Sequence, residues 1–190
     1  MRPAESLSKD LVTLGLIAKD RVVSDCIGPL LAEFVVPLRD QDNWCWAAVA
    51  VAVANGYGDK DPKWDEQCRV ARDVKGKDCC GGDNCDSTAD LEPALDKHFD
   101  NTAIPQGQER AFAFVEQCIK AGNPLGARVK KTDEDSGHFV LIVGHCVKDG
   151  LKNLWIGDPF TGMCNYCDFE SFKINYADFG PWDMTFRTKK

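Results

Sequence analysis

Residues Ala47-Ala48-Val49-Ala50-Val51-Ala52-Val53-Ala54 have no polar side chain, so a helix built from them has no face suited to water. Such a helix must be buried on every side, and that fixes the centre of the fold around it. The run stops at Asn55-Gly56. It is preceded by Asn43-Trp44-Cys45-Trp46, with the polar pair Asp42-Asn43 where a helix cap is expected. Cys45 is therefore expected to open a buried helix. A thiol at that place feels the positive end of the helix dipole, which favours the reactive thiolate.

The rest of the composition is that of a globular chain. Of 190 residues, 44% are hydrophobic and 28% charged, enough for one domain or two small lobes around a shared core. A net charge of -7 and a pI near 5.0 argue against a nucleic-acid footprint. No apolar run approaches the ~18 residues of a membrane helix, so no membrane span is expected. Met1–Asp10 has no apolar signal core. A leader removed upstream would leave the same record, and a secreted or periplasmic location is the expectation from cysteine usage.

There are ten cysteines. Cys68, Cys79, Cys80 and Cys85 fall within eighteen residues, and Cys164 and Cys167 form a C-x-x-C pair. These six are the disulfide candidates, as in a chain from an oxidising compartment. Zinc competes for them. The cluster lacks paired C-x2-4-C hooks, and adjacent cysteines chelate poorly together, so disulfides are the preferred reading and no metal is expected. Cys26, Cys118 and Cys146 are read as small buried apolar residues.

Along the chain, residues 1–33 read as one or two short helices or an arm. Phe34–Leu38 reads as a short strand, 45–55 as the buried helix and 64–74 as an amphipathic helix. A Gly-Cys-Asp loop spans 76–88. Leu91, Leu95 and Phe99 mark another helix, and 111–121 a further one. After Gly122-Asn123-Pro124 the pattern turns to strands at 125–129, 139–147 and 153–157. Helices first and strands after predict an α+β fold with two unlike halves.

A reactive cysteine needs a base, and the base needs an orienting partner. Only three histidines are available. His98 sits on an amphipathic helix and reads as a surface or boundary residue. His138 and His145 lie on one strand, seven apart, so strict alternation puts them on opposite faces. His138 follows Ser136-Gly137 at the strand start, where a loop admits substrate, and is the preferred base. Asp158, at the end of the apolar run Leu154-Trp155-Ile156-Gly157, is the candidate orienter; alone it would be a plain Asp-Pro turn. The backbone N–H of Cys45 and the side chain of Gln41 are candidates for stabilising an oxyanion. Trp46 and Trp155 are candidate cleft walls or core.

At these residues the chain resembles the papain-like cysteine proteases. Within them it is similar to a bacterial group with its nucleophile in a W-C-W-A-A segment, related to the staphopains and to effector proteases of plant pathogens. The likeness runs from Val36-Pro37-Leu38 through the W-C-W-A-A segment, Trp64, Gln67-Cys68, Val70-Ala71, Cys79-Cys80, Cys85, Leu91 and Ala94-Leu95. It continues through Gly137-His138-Phe139-Val140 and Gly157-Asp158-Pro159 to Gly180 and Trp182. It implies a two-lobed fold in which a helical lobe, about 34–122, carries the nucleophile on its central helix. An antiparallel sheet lobe, about 123–190, carries histidine and aspartate, and residues 1–33 stand outside as an arm or propeptide-like segment. It implies Cys45 as nucleophile, His138 as base and Asp158 as orienter, without a cofactor. Two departures stand out. Papain's oxyanion glutamine lies six residues before its cysteine, where this chain has Arg39, with Gln41 two residues out of register. Papain's C-G-S-C-W and N-S-W segments are also absent.

The function expected is a cysteine-dependent endopeptidase acting on polypeptides as a monomer. A papain-fold deamidase or acyltransferase, in an effector or toxin, would use the same three residues with a different acceptor. A non-enzymatic binding module stabilised by disulfides or zinc would leave Cys45 a buried structural thiol. The acidic run Asp133-Glu134-Asp135 before His138 is read as a solvated loop, with selection of basic substrates as the alternative.

Overall fold

The computed structural model describes residues 26, 28–81, 84–130 and 137–190. Of the helices or arm expected in 1–33, residues 1–25 and 27 lie outside the described residues, as does the acidic run 133–135. Helix α1 (Cys45–Gly56) is buried continuously from Cys45 to Ala54, as its composition demands. It packs against one face of a sheet through Phe139, Leu141 and Val143, and against helices α2 (Gln67–Lys75) and α3 (Leu91–Leu95) on its other sides. Alanine lets these neighbours approach, while Val49, Val51 and Val53 supply volume, each contributing about 1.5–3 kcal/mol on burial. A leucine in place of the fully buried Ala47 or Ala48 would overpack this layer at a cost of about 1–3 kcal/mol.

Among the described residues the sheet has five antiparallel strands in the order β4-β3-β2-β1-β5: β1 (Leu125–Val129), β2 (His138–Lys148), β3 (Leu151–Asp158), β4 (Met163–Asp168) and β5 (Trp182–Arg187). Its second face carries Val140, Ile142, Leu154 and Ile156. That face is covered by helix α4 (Phe112–Lys120) through Phe112, Val115 and Ile119, and by helix α5 (Phe169–Ile174) through Phe169 and Phe172. The fold is thus α+β, with helices on both faces of an antiparallel sheet. Among the described residues no helix is long and apolar enough to cross a membrane.

Several local expectations are corrected. Phe34–Leu38 is not a strand. Phe34 and Val36 are buried against Gly56 and Gly157, so apolar alternation reflects packing into helix and sheet, with no ladder partner. The helix cap is Trp44, not Asp42 or Asn43, and no side chain caps the helix. Residues 62–64 form a 3-10 turn before α2, and Asp96, with φ of 50°, ends α3 early. Strands β4 and β5 and helix α5 add to the elements read from the sequence.

Three disulfides are present: Cys68–Cys80, Cys79–Cys85 and Cys26–Cys146. The first two knot the loop between α2 and α3, which removes the four clustered thiols as zinc ligands. Cys26 and Cys146, expected as simple buried thiols, are instead joined across 120 residues. Cys164 and Cys167, expected as a pair, are not bridged to one another. They sit three apart on β4, where alternation turns their side chains to opposite faces. Cys118 is a buried thiol, as expected.

The hairpin joining β2 and β3 positions the site. Its turn is Asp149-Gly150, both with positive φ (52° and 78°), the conformation a two-residue hairpin favours. From there Lys148 pairs with Leu151 and Gly144 with Trp155, but Ile142 pairs with Ile156, leaving Val143 as an extra residue in β2. This bulge shifts every later pair by one. Continuing the ladder past Leu141 and Gly157 sets Asp158 opposite Val140, hence on the same face as His138 two residues away. Without the bulge Asp158 would share a face with Phe139 and Leu141.

The bulge is braced by the segment leading to Leu31. Leu31 N donates to Val143 O at 2.8 Å, His145 N to Pro29 O at 3.2 Å, and Cys26 is bonded to Cys146. Gly28 and Gly144 permit this approach: a Cβ on Gly28 would lie 2.0 Å from His145 O, and one on Gly144 2.8 Å from Pro29 O.

Candidate active site

Cys45 is the first residue of α1, and the loop before it is held from several directions. The Gln67 side chain donates to Leu38 O at 2.6 Å and accepts from Asp40 N at 3.0 Å. Arg39 N donates to Pro159 O at 3.0 Å, linking this loop to the residue after Asp158. On the other side the disulfide-knotted loop receives three donors. Asn43 N reaches Asp86 Oδ1 at 2.8 Å, Trp44 Nε1 reaches Cys85 O at 2.9 Å, and Trp46 Nε1 reaches Ser87 O at 3.3 Å. The first N–H groups of a helix have no acceptor within it, so the start of α1 presents donors where Cys45 stands.

His138 opens β2 and meets both partners. Its Nε2 lies 2.7 Å from Asp158 Oδ1, and Cys45 is near enough to help raise its pKa. Phe139 N also lies 3.5 Å from Cys45 Sγ. All three residues are nearly enclosed, with Cys45 6%, His138 5% and Asp158 2% exposed. Burial pulls the His138 pKa down. The hydrogen bonds and negative charges of Asp158 and Cys45 outweigh it and raise the value to about 9. Burial pushes Asp158 up, but the His138 hydrogen bond and charge, the Phe160 N–H and the Tyr176 hydroxyl together hold it below its ordinary value. The arrangement therefore favours an imidazolium between a carboxylate and a sulfur.

The rings around His138 are residues the sequence did not single out. Phe179 stacks on the imidazole at 4.2 Å, and Phe160 meets it edge-on at 6.5 Å while remaining half exposed. Arg39 in turn lies over Phe160 at 4.9 Å. The aromatic in Asp158-Pro159-Phe160 was a usable local signal; Phe179 comes from a distant turn. Trp46 lies under the knotted loop, and Trp155 packs on Tyr166 at 5.0 Å beside Gly144. Gln41 is exposed and joins the helix entry through its carbonyl, which accepts from Trp44 N.

The other histidines are placed differently from expectation. His98 is buried, with Nε2 2.9 Å from Asp59 Oδ2 and Nδ1 3.1 Å from Lys189 O, and it anchors the C-terminal strand end. His145 packs edge-on against Phe112, a member of the core cluster on the second sheet face. His138 stacks on Phe179, which packs on that same cluster. The bulge between Ile142 and Gly144 cancels the opposite-face expectation. Burial lowers the His145 pKa, and the ring has no hydrogen-bond partner among the described residues. Glu66, Cys68 and Cys80 form the one cluster with metal-compatible spacing among the described residues, but both sulfurs are oxidised in a disulfide.

No family model matches the chain, and no curated protein matches it. Among solved structures, a chain from work on antibody cross reactivity between the mite allergens Blo t 1 and Der p 1 aligns over 99% of this chain and 83% of its own. The TM-score is 0.49 and the identity 13%.

Proposed function

We propose that this protein is a papain-like, cysteine-dependent peptide hydrolase of the W-C-W-A-A type, secreted or periplasmic, that works through an acyl-enzyme. The observation that carries the reading is the meeting of three enclosed side chains, with His138 Nε2 2.7 Å from Asp158 Oδ1 and both Asp158 and Cys45 acting to raise the His138 pKa. Cys45 Sγ attacks the scissile carbonyl as thiolate. Main-chain N–H groups at the start of α1 face the developing oxyanion. His138 gives its proton to the leaving amine, so the C–N bond breaks and the acyl group stays on sulfur. Water then attacks the thioester, His138 takes its proton, and the thiolate returns. Asp158 holds the ring in the tautomer and orientation both half-reactions need. Disulfides in three places support the oxidising compartment.

The test is cleavage of a peptide library and of an unfolded protein by wild type and Cys45→Ala side by side. Cleavage by wild type alone supports the proposal, and equal cleavage by both rejects it. Ammonia release from glutamine peptides without chain scission would assign the same three residues to deamidation.

A further inference from the structure

We propose that Tyr176 is a positioning residue for the His138–Asp158 pair, acting through its hydroxyl on the Asp158 oxygen that His138 does not use. The inference rests on the catalytic reading of Cys45, His138 and Asp158 given above. Asp158 Oδ1 accepts from His138 Nε2 at 2.7 Å and from Phe160 N at 2.8 Å. Its Oδ2 accepts from the Tyr176 hydroxyl at 3.0 Å. The phenolic oxygen accepts in turn from Asn165 Nδ2 at 3.1 Å. A chain of oriented bonds thus runs from Asn165 through Tyr176 and Asp158 to His138.

A carboxylate held only by the imidazole can rotate about its Cα–Cβ and Cβ–Cγ bonds. Donors on both oxygens remove that freedom and fix the plane in which Oδ1 faces the ring. Burial first, and then the negative charge of Asp158, drive the Tyr176 pKa far above the ordinary range, so the phenol stays protonated and serves as donor. A buried tyrosine needs an acceptor somewhere, and a main-chain carbonyl would satisfy it. Here the acceptor is the carboxylate that faces His138, and the same turn supplies Phe179 to the ring itself.

That turn is built for the placement. Tyr176 N donates to Gly180 O at 3.0 Å and Phe179 N to Tyr176 O at 2.8 Å. Between them Ala177 and Asp178 are both left-handed, with φ of 47° and 64°. Two consecutive non-glycine residues there are strained, and such strain persists where surrounding contacts over-determine the backbone. The contacts made by its two ends, Tyr176 on Asp158 and Phe179 on His138, are those of the proposed site.

The experiment compares wild type, Tyr176→Phe and Asn165→Ala. Cys45 alkylation by iodoacetamide is followed from pH 3 to 10, alongside kcat/KM against pH and a thermal melt. Without the hydroxyl the buried carboxylate takes up a proton at higher pH, and a neutral Asp158 no longer holds the imidazolium. The acid limb of both profiles should move up by about half to one pH unit in Tyr176→Phe. In Asn165→Ala, which weakens the phenol as a donor while leaving it in place, the limb should move less in the same direction. A fall in rate at all pH values with unmoved limbs, with or without a lower melting temperature, overturns the proposal. If Tyr176→Phe does not fold, the Asn165→Ala limb decides by the same criterion. If wild-type Cys45 reacts no faster folded than unfolded at pH 6, the catalytic reading fails and this one with it. An activated wild-type Cys45 with unmoved limbs in the variants removes the positioning role alone.

Discussion

Replacing Asp158 with asparagine isolates the charge that holds His138 protonated. In the folded chain His138 titrates at about 9 against an ordinary 6.5. That rise corresponds to about 3 kcal/mol favouring the imidazolium, at about 1.4 kcal/mol per unit. Burial acts in the opposite direction, so the favourable contacts supply more than this difference; the Asp158 hydrogen bond leads them, followed by the Cys45 hydrogen bond and the two charges. Asparagine keeps the shape and one acceptor but removes the charge. His138 should then return toward its ordinary value, losing about two units, and the thiolate its cationic partner. The assay is kcat/KM for peptide hydrolysis against pH, because acylation draws its proton from the His138 imidazolium. The alkaline limb should fall from near 9 to about 7, and kcat/KM at neutral pH should drop about 10- to 100-fold. An alkaline limb that stays near 9 in Asp158→Asn would refute the claim that this carboxylate holds the imidazolium.

Two further outcomes follow from the same contacts. Because the folded pKa of His138 is raised, its contribution to stability is complete below about 6.5 and is lost as pH rises through about 9. Asp158 is depressed, so its contribution is present above 3.8 and lost as pH falls through its folded value. The unfolding free energy from urea titration should therefore be highest between about pH 4 and 6.5 and decline toward pH 10 by about 3 kcal/mol; a flat alkaline side contradicts the pairing. Cys79→Ser/Cys85→Ser opens a bridge of sequence separation 6 and should cost about 2 kcal/mol in a melt. Because Cys85, Asp86 and Ser87 receive the donors of Trp44, Asn43 and Trp46, kcat/KM at temperatures where the variant is fully folded should fall about 10-fold or more. Unchanged kcat/KM would limit that loop to stability.

The parts legible in the sequence are those written in local patterns. Helix α1 is legible because a run of alanine and valine has no polar face to expose, and Cys45 because it abuts that run. His138 and Asp158 are legible as chemistry at opposite ends of two apolar strands. What brings them onto one face is not legible: Val143 looks like any strand valine, and it becomes the bulge because Pro29, Leu31 and Cys26 pair with the edge of β2 there. The Cys26–Cys146 bond joins residues 120 apart with no spacing signature. Trp44 stands at the helix cap against the usual polar preference, held by its indole N–H on Cys85 O in a distant loop, a contact no local pattern shows. Tyr176 and Phe179 belong to a turn flanked by Asn175 and Gly180, which mark a turn in the sequence; what they do not show is that it reaches Asp158 and His138, contacts made across the fold.

The central claim is that a covalent acyl group passes through Cys45. Wild type mixed with an activated peptide ester, quenched in acid within the first turnover and measured as intact protein, tests it directly. The account predicts a mass increase equal to the acyl part, located on the fragment that contains Cys45 and absent from Cys45→Ala. Steady peptide hydrolysis with no adduct on Cys45, or an adduct on another residue, would contradict it.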